Sequence, residues 1–179
     1  MPNLVEKFRE KNKGVPPQKL VATYYTLLDK INEYKREKDF SSMLMYCQLS
    51  ISLLEPLINE TKREFGTFDI KSIPAIEISS IFYAIYGEKG QLLNLKEIVE
   101  YFPELEPWKK TVEEAFAMKE LSSRIYQHVK DNEGCLQKEL KKKLGIEDGR
   151  LLSRTVYYMA LVGKLDRKPL GNTYSLFVK

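Results

Sequence analysis

One histidine (His128), one tryptophan (Trp108) and two cysteines (Cys47 and Cys135) occur in 179 residues. Their scarcity excludes several chemistries. A multi-histidine metal site cannot be assembled, and histidine acid–base catalysis is left with one candidate. The two cysteines lie far apart and show no CxxC or CxxH spacing, which argues against a disulfide framework and a zinc site and fits a reducing cytoplasm. Long apolar runs are missing too: none approaches the ~20 residues a membrane helix needs. The opening "MPNLVEKFREKNKGVPP" lacks the apolar centre of a signal peptide, so a soluble protein is expected. Glycine-rich phosphate loops are also lacking. "YGEKG" has two glycines but not the longer phosphate-loop spacing, and it reads as a turn.

What is present is ample material for a core, with 43% hydrophobic and 11% aromatic residues. The net charge of +4 hides an asymmetry. Residues 1–118 carry 16 Lys and Arg against 18 Asp and Glu, whereas residues 119–179 carry 13 against 7. All the excess positive charge therefore lies in the last third, as in a neutral scaffold joined to a module that meets a polyanion.

Along the chain, residues 1–17 are polar and end in "GVPP", which predicts an extended or flexible start until a helix begins near Gln18. Val21, Tyr24 or Tyr25, Leu28, Ile31 and Tyr34 recur at helical spacing. After "KREKD" a second helix is predicted to place Phe40, Leu44, Cys47, Ile51 and Leu54 on one face and to end before Gly66. A four-residue polar connection would make the two helices antiparallel. The stretch "KREKDFSSMLMYCQLSISLLEP" resembles the turn and second helix of a tetratricopeptide repeat, through Asp39 and Phe40, Tyr46 and Ser50, with Pro56 one residue later than the usual closing proline. Met43 departs from that pattern where a small residue is usual, and no second repeat follows. The resemblance implies an αα-hairpin.

Residues 66–74 read as a loop of extended character. A short helix over "AIEISSIFYAIY" follows, stopped by Gly87 and Gly90, then helices over "QLLNLKEIVEYF" and from "EPWKK", with Pro107 in the first turn. The last of these either runs continuously over residues 108–131 or breaks near Met118. The expected organisation is a flexible segment 1–17, a helical scaffold 18–118 and a C-terminal domain 119–179. The fold class is mainly α with a small β-hairpin.

In the C-terminal part a helix "LSSRIYQHVKD" precedes a turn "NEGC". A second helix "LQKELKKKL", a turn "GIEDG" and a third helix "RLLSRTVYYMALVG" follow. Leu121, Ile125 and Val129 line the first helix, and Leu136, Leu140 and Leu144 the second. Asp148 is placed to cap the third. Then come two strands, with Tyr174, Leu176 and Val178 on one face of the last and Ser175 and Phe177 on the other. The spacing Val156, Met159, Gly163, Leu165, Arg167 resembles the winged-helix family, in which a glycine ends the third helix and an aliphatic and a basic residue enter the wing. That resemblance implies binding of duplex DNA, although winged helices also serve as protein-docking modules.

For the third helix, the face opposite Leu152, Val156 and Met159 is predicted to present Arg150, Ser153, Arg154 and Tyr157 to a major groove. Arginine pairs bidentately with guanine or clamps phosphate. Lys138, Lys141 and Lys142 on the second helix, with Arg167 and Lys168 on the wing, would contact the DNA backbone. One of Tyr157 and Tyr158 is expected to pack against the scaffold. The expected protein is a non-enzymatic transcriptional regulator without metal or cofactor, whose partners are duplex DNA and a protein or second copy bound through the 21–65 hairpin or the 108–131 helix. Its rival is a protein-interaction subunit, since helices followed by a winged helix also resemble PCI-type scaffolds. The Asp29, Glu33, Glu37 stripe reads as solvated. A His128–Cys135 pair reads as a partly exposed histidine beside a small buried thiol, with no oxyanion or orienting group to make it catalytic.

Overall fold

The computed structural model describes residues 4–70 and 72–179. They form eight α-helices and a three-stranded antiparallel sheet near the C-terminus, so the protein is mainly α. The chain folds into two compact units, Met1–Ser79 with Val99–Trp108 and Ser80–Ile98 with Lys109–Lys179. Among the described residues no helix is long and apolar enough to cross a membrane.

The first unit is built on a helical hairpin, α2 (Pro17–Glu37) and α3 (Phe40–Phe65). Gln18 Nε2 donates to Glu64 Oε1 at one end, and Tyr34 stacks on Tyr46 at the other, which makes the pair antiparallel. The connection is two residues, shorter than the predicted four, because α2 continues through "KRE". Lys38 permits this tight turn by taking a left-handed conformation, φ 60°. Asp39 then caps α3, accepting a bond from the Ser42 N–H at 3.1 Å. Pro56 does not end α3 but sits inside it, leaving the Ser52 carbonyl without its helical N–H donor.

The buried stripe of α2 is Leu20, Tyr24, Leu27 and Ile31, so Val21 and Leu28 lie at its edge and Tyr25 is exposed. On α3, Met43, Cys47, Leu53, Leu54, Leu57 and Ile58 are buried, whereas Phe40, Leu44 and Ile51 are only half-buried. Tyr24, Ile31, Cys47 and Leu54 are buried as predicted, while the rest of each stripe is shifted by about one residue. Adjacent apolar residues such as Leu27 and Leu28 leave the inward one to be chosen by the partner helix. The predicted extended start is also corrected, since Leu4–Lys11 forms α1, whose Val5 and Phe8 pack against the Leu20–Leu53–Leu57 cluster. Phe68 and Ile70 of the following loop cover the same cluster, and the Tyr24 hydroxyl donates to the Ser72 carbonyl at 2.8 Å.

α4 (Pro74–Tyr86) stops at Gly87, but Gly90 lies in the first turn of α5 (Lys89–Tyr101), so one glycine rather than two separates them. A 3₁₀ turn at Pro103–Leu105 leads into α6 (Glu106–Asp131), which is unbroken at Met118. The second unit continues with β1 (Cys135–Leu136), α7 (Gln137–Lys143), α8 (Gly149–Leu161), β2 (Leu165–Leu170) and β3 (Thr173–Val178). The strand order is β1-β3-β2. β1 falls where the sequence predicts the end of a turn and the start of a helix. Two residues are too few to show a period-2 pattern, and this strand exists because Cys135 and Leu136 pair with Leu176 and Ser175. Val112, Met118, Leu121, Ile125 and Val129 of α6 are buried, as are Leu140, Leu152, Val156, Met159, Leu165 and Leu176. Past the end of α8, Gly163 takes φ 77°, and the Lys164 N–H closes back onto the Met159 carbonyl at 2.8 Å. This left-handed exit turns the chain from α8 into β2.

Candidate nucleic-acid interface

α8 starts on Asp148, whose carboxylate accepts bonds from the Arg150 and Leu151 N–H groups at 2.8 and 3.0 Å. The backbone bonds from Leu151 and Arg150 hold this carboxyl below its ordinary range. The helix buries Leu152, Thr155, Val156 and Met159, with the Thr155 hydroxyl donating to the Leu151 carbonyl at 2.7 Å. Burial of that face leaves Arg150, Ser153 and Tyr157 exposed on the opposite one, at spacings of three and four residues. Tyr157 is 50% exposed. Tyr158 is the inward member of the tyrosine pair and meets Phe82 edge to face, ring centroids 6.0 Å apart.

Arg154 does not stand with the other three. Its side chain is 34% exposed, and Nη1 lies 3.5 Å from Glu114 Oε2 of α6. Helical periodicity alone groups Arg154 with Arg150, four residues earlier. The separation comes from a carboxylate forty positions away in sequence.

Beside the exposed strip runs an open groove bounded by α7, the start of α8 and the turn of the β2–β3 hairpin. Its lining includes Gln137, Lys138, Lys141, Gly149, Ser153, Asn172, Thr173 and Tyr174. Lys141 lies along the start of α8, and a Cβ on Gly149 would be 3.9 Å from Lys141 Cδ. The hairpin turn is tied to α7 by the Lys138 N–H, which donates to Thr173 Oγ1 at 3.3 Å. α7 is fixed at its other end by Arg124 of α6, whose guanidinium donates to the Leu144 carbonyl. Lys138, Lys141 and Lys142 are all exposed, with Leu140 buried beneath them.

Arg167 and Lys168 of β2 point to opposite faces of the sheet, as neighbours on a strand must. Arg167 shares the face of Leu165 and Leu176. Its guanidinium carbon is 4.0 Å above the Tyr174 ring, and its Nε is buried without a hydrogen-bond partner. Lys168 lies on the other face, with Nζ 4.6 Å above the Phe177 ring and 4.0 Å from Asp166 Oδ2. No helical or strand periodicity singles out Asn172, Thr173 and Tyr174, although the register setting Leu170 against Thr173 and Pro169 against Tyr174 carries them to the groove.

The remaining reactive groups are subdued. The Cys135 thiol is pushed up by burial and by the nearby Glu139 carboxylate, and burial raises Cys47 to about 12. A thiol held protonated is a poor nucleophile. The His128 carbonyl accepts a bond from Asn132 Nδ2 at 2.9 Å, a helix-terminal contact. No group of three or more His, Cys, Asp or Glu side chains among the described residues has the arrangement of a metal site. No family model matches the chain, and no curated protein or solved structure matches it either.

Proposed function

We propose that residues 119–179 form a winged helix that binds duplex DNA, and that the protein is a non-enzymatic, cytoplasmic transcriptional regulator whose N-terminal helices dimerise or receive a protein partner. The observation that carries this reading is the convergence of cations on one groove and the helix beside it. Arg9, Lys13, Lys30, Lys62 and Arg63 of the first unit each lie within 4.0 Å of a carboxylate. Lys138, Lys141, Lys142 and Arg150 have no carboxylate within 4.0 Å among the described residues, although the Asp148 carboxylate acts electrostatically on Arg150 and Lys141; Lys138 and Lys141 line one groove and Arg150 lies on the exposed face of α8. Exposed cations gathered on neighbouring elements, with hydroxyls and an exposed tyrosine between them, suit a phosphate backbone and the groove beside it.

The test is fluorescence-anisotropy titration of mixed-sequence duplex DNA at two salt concentrations. Affinity should fall steeply with salt. Arg150→Ala should weaken binding and lower its salt dependence, with the melting temperature unchanged. Binding absent at low salt overturns this reading.

One observation favours the rival, in which the winged helix docks protein. Arg154 and Lys168 each lie within 4.0 Å of a carboxylate, which lowers the net positive charge offered to DNA there. Absence of duplex binding, together with a partner that protects the α8 face from modification, would establish that alternative.

A further inference from the structure

Arg154 sits at the rim of the exposed strip, four residues after Arg150 and three before Tyr157, yet its guanidinium is drawn to Glu114. Both side chains are partly in water, at 34% and 45% exposure. An ion pair that wet contributes little to stability and is weakened further by salt. Its effect on a polyanion approaching α8 is larger, because one cation is neutralised and a carboxylate stands at the same rim. A phosphate at that position would have to compete with Glu114 for the guanidinium, and it would then be left beside an uncompensated negative charge.

We propose that Glu114 is an affinity-limiting residue: it holds Arg154 in reserve, so that the α8 surface engages duplex DNA with one phosphate contact fewer than its sequence provides. The inference rests on the reading of α8 as the DNA-facing helix. It gives Glu114, a residue outside the face predicted to touch DNA, a definite role in setting affinity and salt dependence. A surface that binds less tightly to every duplex also spends less time on sites it does not read, since backbone contacts carry no sequence information.

The experiment is a double-mutant cycle on the full chain, with a mixed-sequence duplex as probe. Glu114→Gln should bind about threefold to tenfold more tightly at low salt, and the slope of log K against log salt should steepen by ~0.9, the increment for one added phosphate contact. Arg154→Ala alone should weaken binding modestly, since it leaves the Glu114 carboxylate uncompensated, whereas in the Glu114→Gln background it should abolish the gain. Thermal melting of each variant reports the fold, and the weak ion pair predicts nearly unchanged midpoints. Three results overturn the proposal. Equal affinity of Glu114→Gln and wild type shows that Glu114 withholds nothing. A gain that survives Arg154→Ala shows that Glu114 acts only as a surface charge. Failure of wild type and Glu114→Gln alike to bind duplex removes the DNA reading as well. The first two, found with a wild type that binds in a salt-dependent way, leave that reading standing.

Discussion

The two units use similar residues to different ends. The first has 12 Lys and Arg against 14 Asp and Glu, and the second has 17 against 11. Placement separates them more sharply than number. An open cleft in the first unit, lined by Asp29, Asn32, Glu33, Lys35 and Arg36, mixes both signs, so no single sign of potential is focused there. The lysine groove beside α8 has Lys138 and Lys141 in its lining and no carboxylate. Composition measures how many charges a region has; only the fold decides whether they cancel locally. A lysine paired at helix spacing, such as Lys30 with Glu33 at 2.7 Å, decorates a surface, whereas lysines gathered from α7 onto one groove define one.

This contrast can be broken most forcefully through the cores. Leu53 in the first unit and Leu176 in the second are both fully buried, and changing either to alanine should destabilise its unit by ~2–5 kcal/mol, measured by urea unfolding. The consequences for binding should differ. Leu53→Ala should leave duplex affinity of the folded protein intact, while Leu176→Ala, in the strand that pairs with both other strands, should lower it. Loss of DNA binding in a folded Leu53→Ala variant would show that the division of labour is wrong.

A gentler test compares lysines. Lys138→Ala and Lys141→Ala should each weaken binding across all sequences and reduce the salt slope by ~1. Lys13→Ala and Lys30→Ala, which remove cations already paired, should leave the slope where it was. Equal effects from the two sets would mean that net charge alone drives association.

The smallest expected effect concerns the cap of α8. The Asp148 carboxyl is held low in the folded state, so its contribution to stability is complete above its unfolded pKa, ~3.9. That contribution is lost as pH falls through the lower folded value. Asp148→Asn, which keeps an acceptor but cannot titrate, should melt near wild type at neutral pH and show a shallower loss of stability below pH ~4. An unchanged acid limb would place the titrating group elsewhere.

Much of this is legible in the sequence where a repeat carries it. Leu152, Val156 and Met159 announce the buried side of α8, Asp148 its start and Gly163 its end, and three of the four predicted helix-face residues are indeed exposed. What escapes depends on partners distant in the chain. Periodicity groups Arg154 with Arg150 because it is blind to Glu114. Adjacency groups Arg167 with Lys168, although strand alternation sends them apart, one onto Tyr174 and the other onto Phe177. α1 has no buried residue of its own and gains its place from Val5 and Phe8 against another helix's leucines.

The two residues of β1 also bear on the order in which the second unit assembles. Leu170 and Thr173 pair across a tight turn, so the β2–β3 hairpin closes locally and quickly. Cys135 and Leu176 must find one another across the whole of α7 and α8, and pairings of that sequence separation form slowly because the intervening loop has to be closed first. A hairpin can therefore exist before it is anchored, and the bond from the Gly134 N–H to the Leu176 carbonyl, 2.8 Å long, marks completion of the sheet. In pulsed hydrogen exchange during refolding, the Gly134 amide should gain protection after the amides paired between β2 and β3, which makes that proton a clock for the last step of folding.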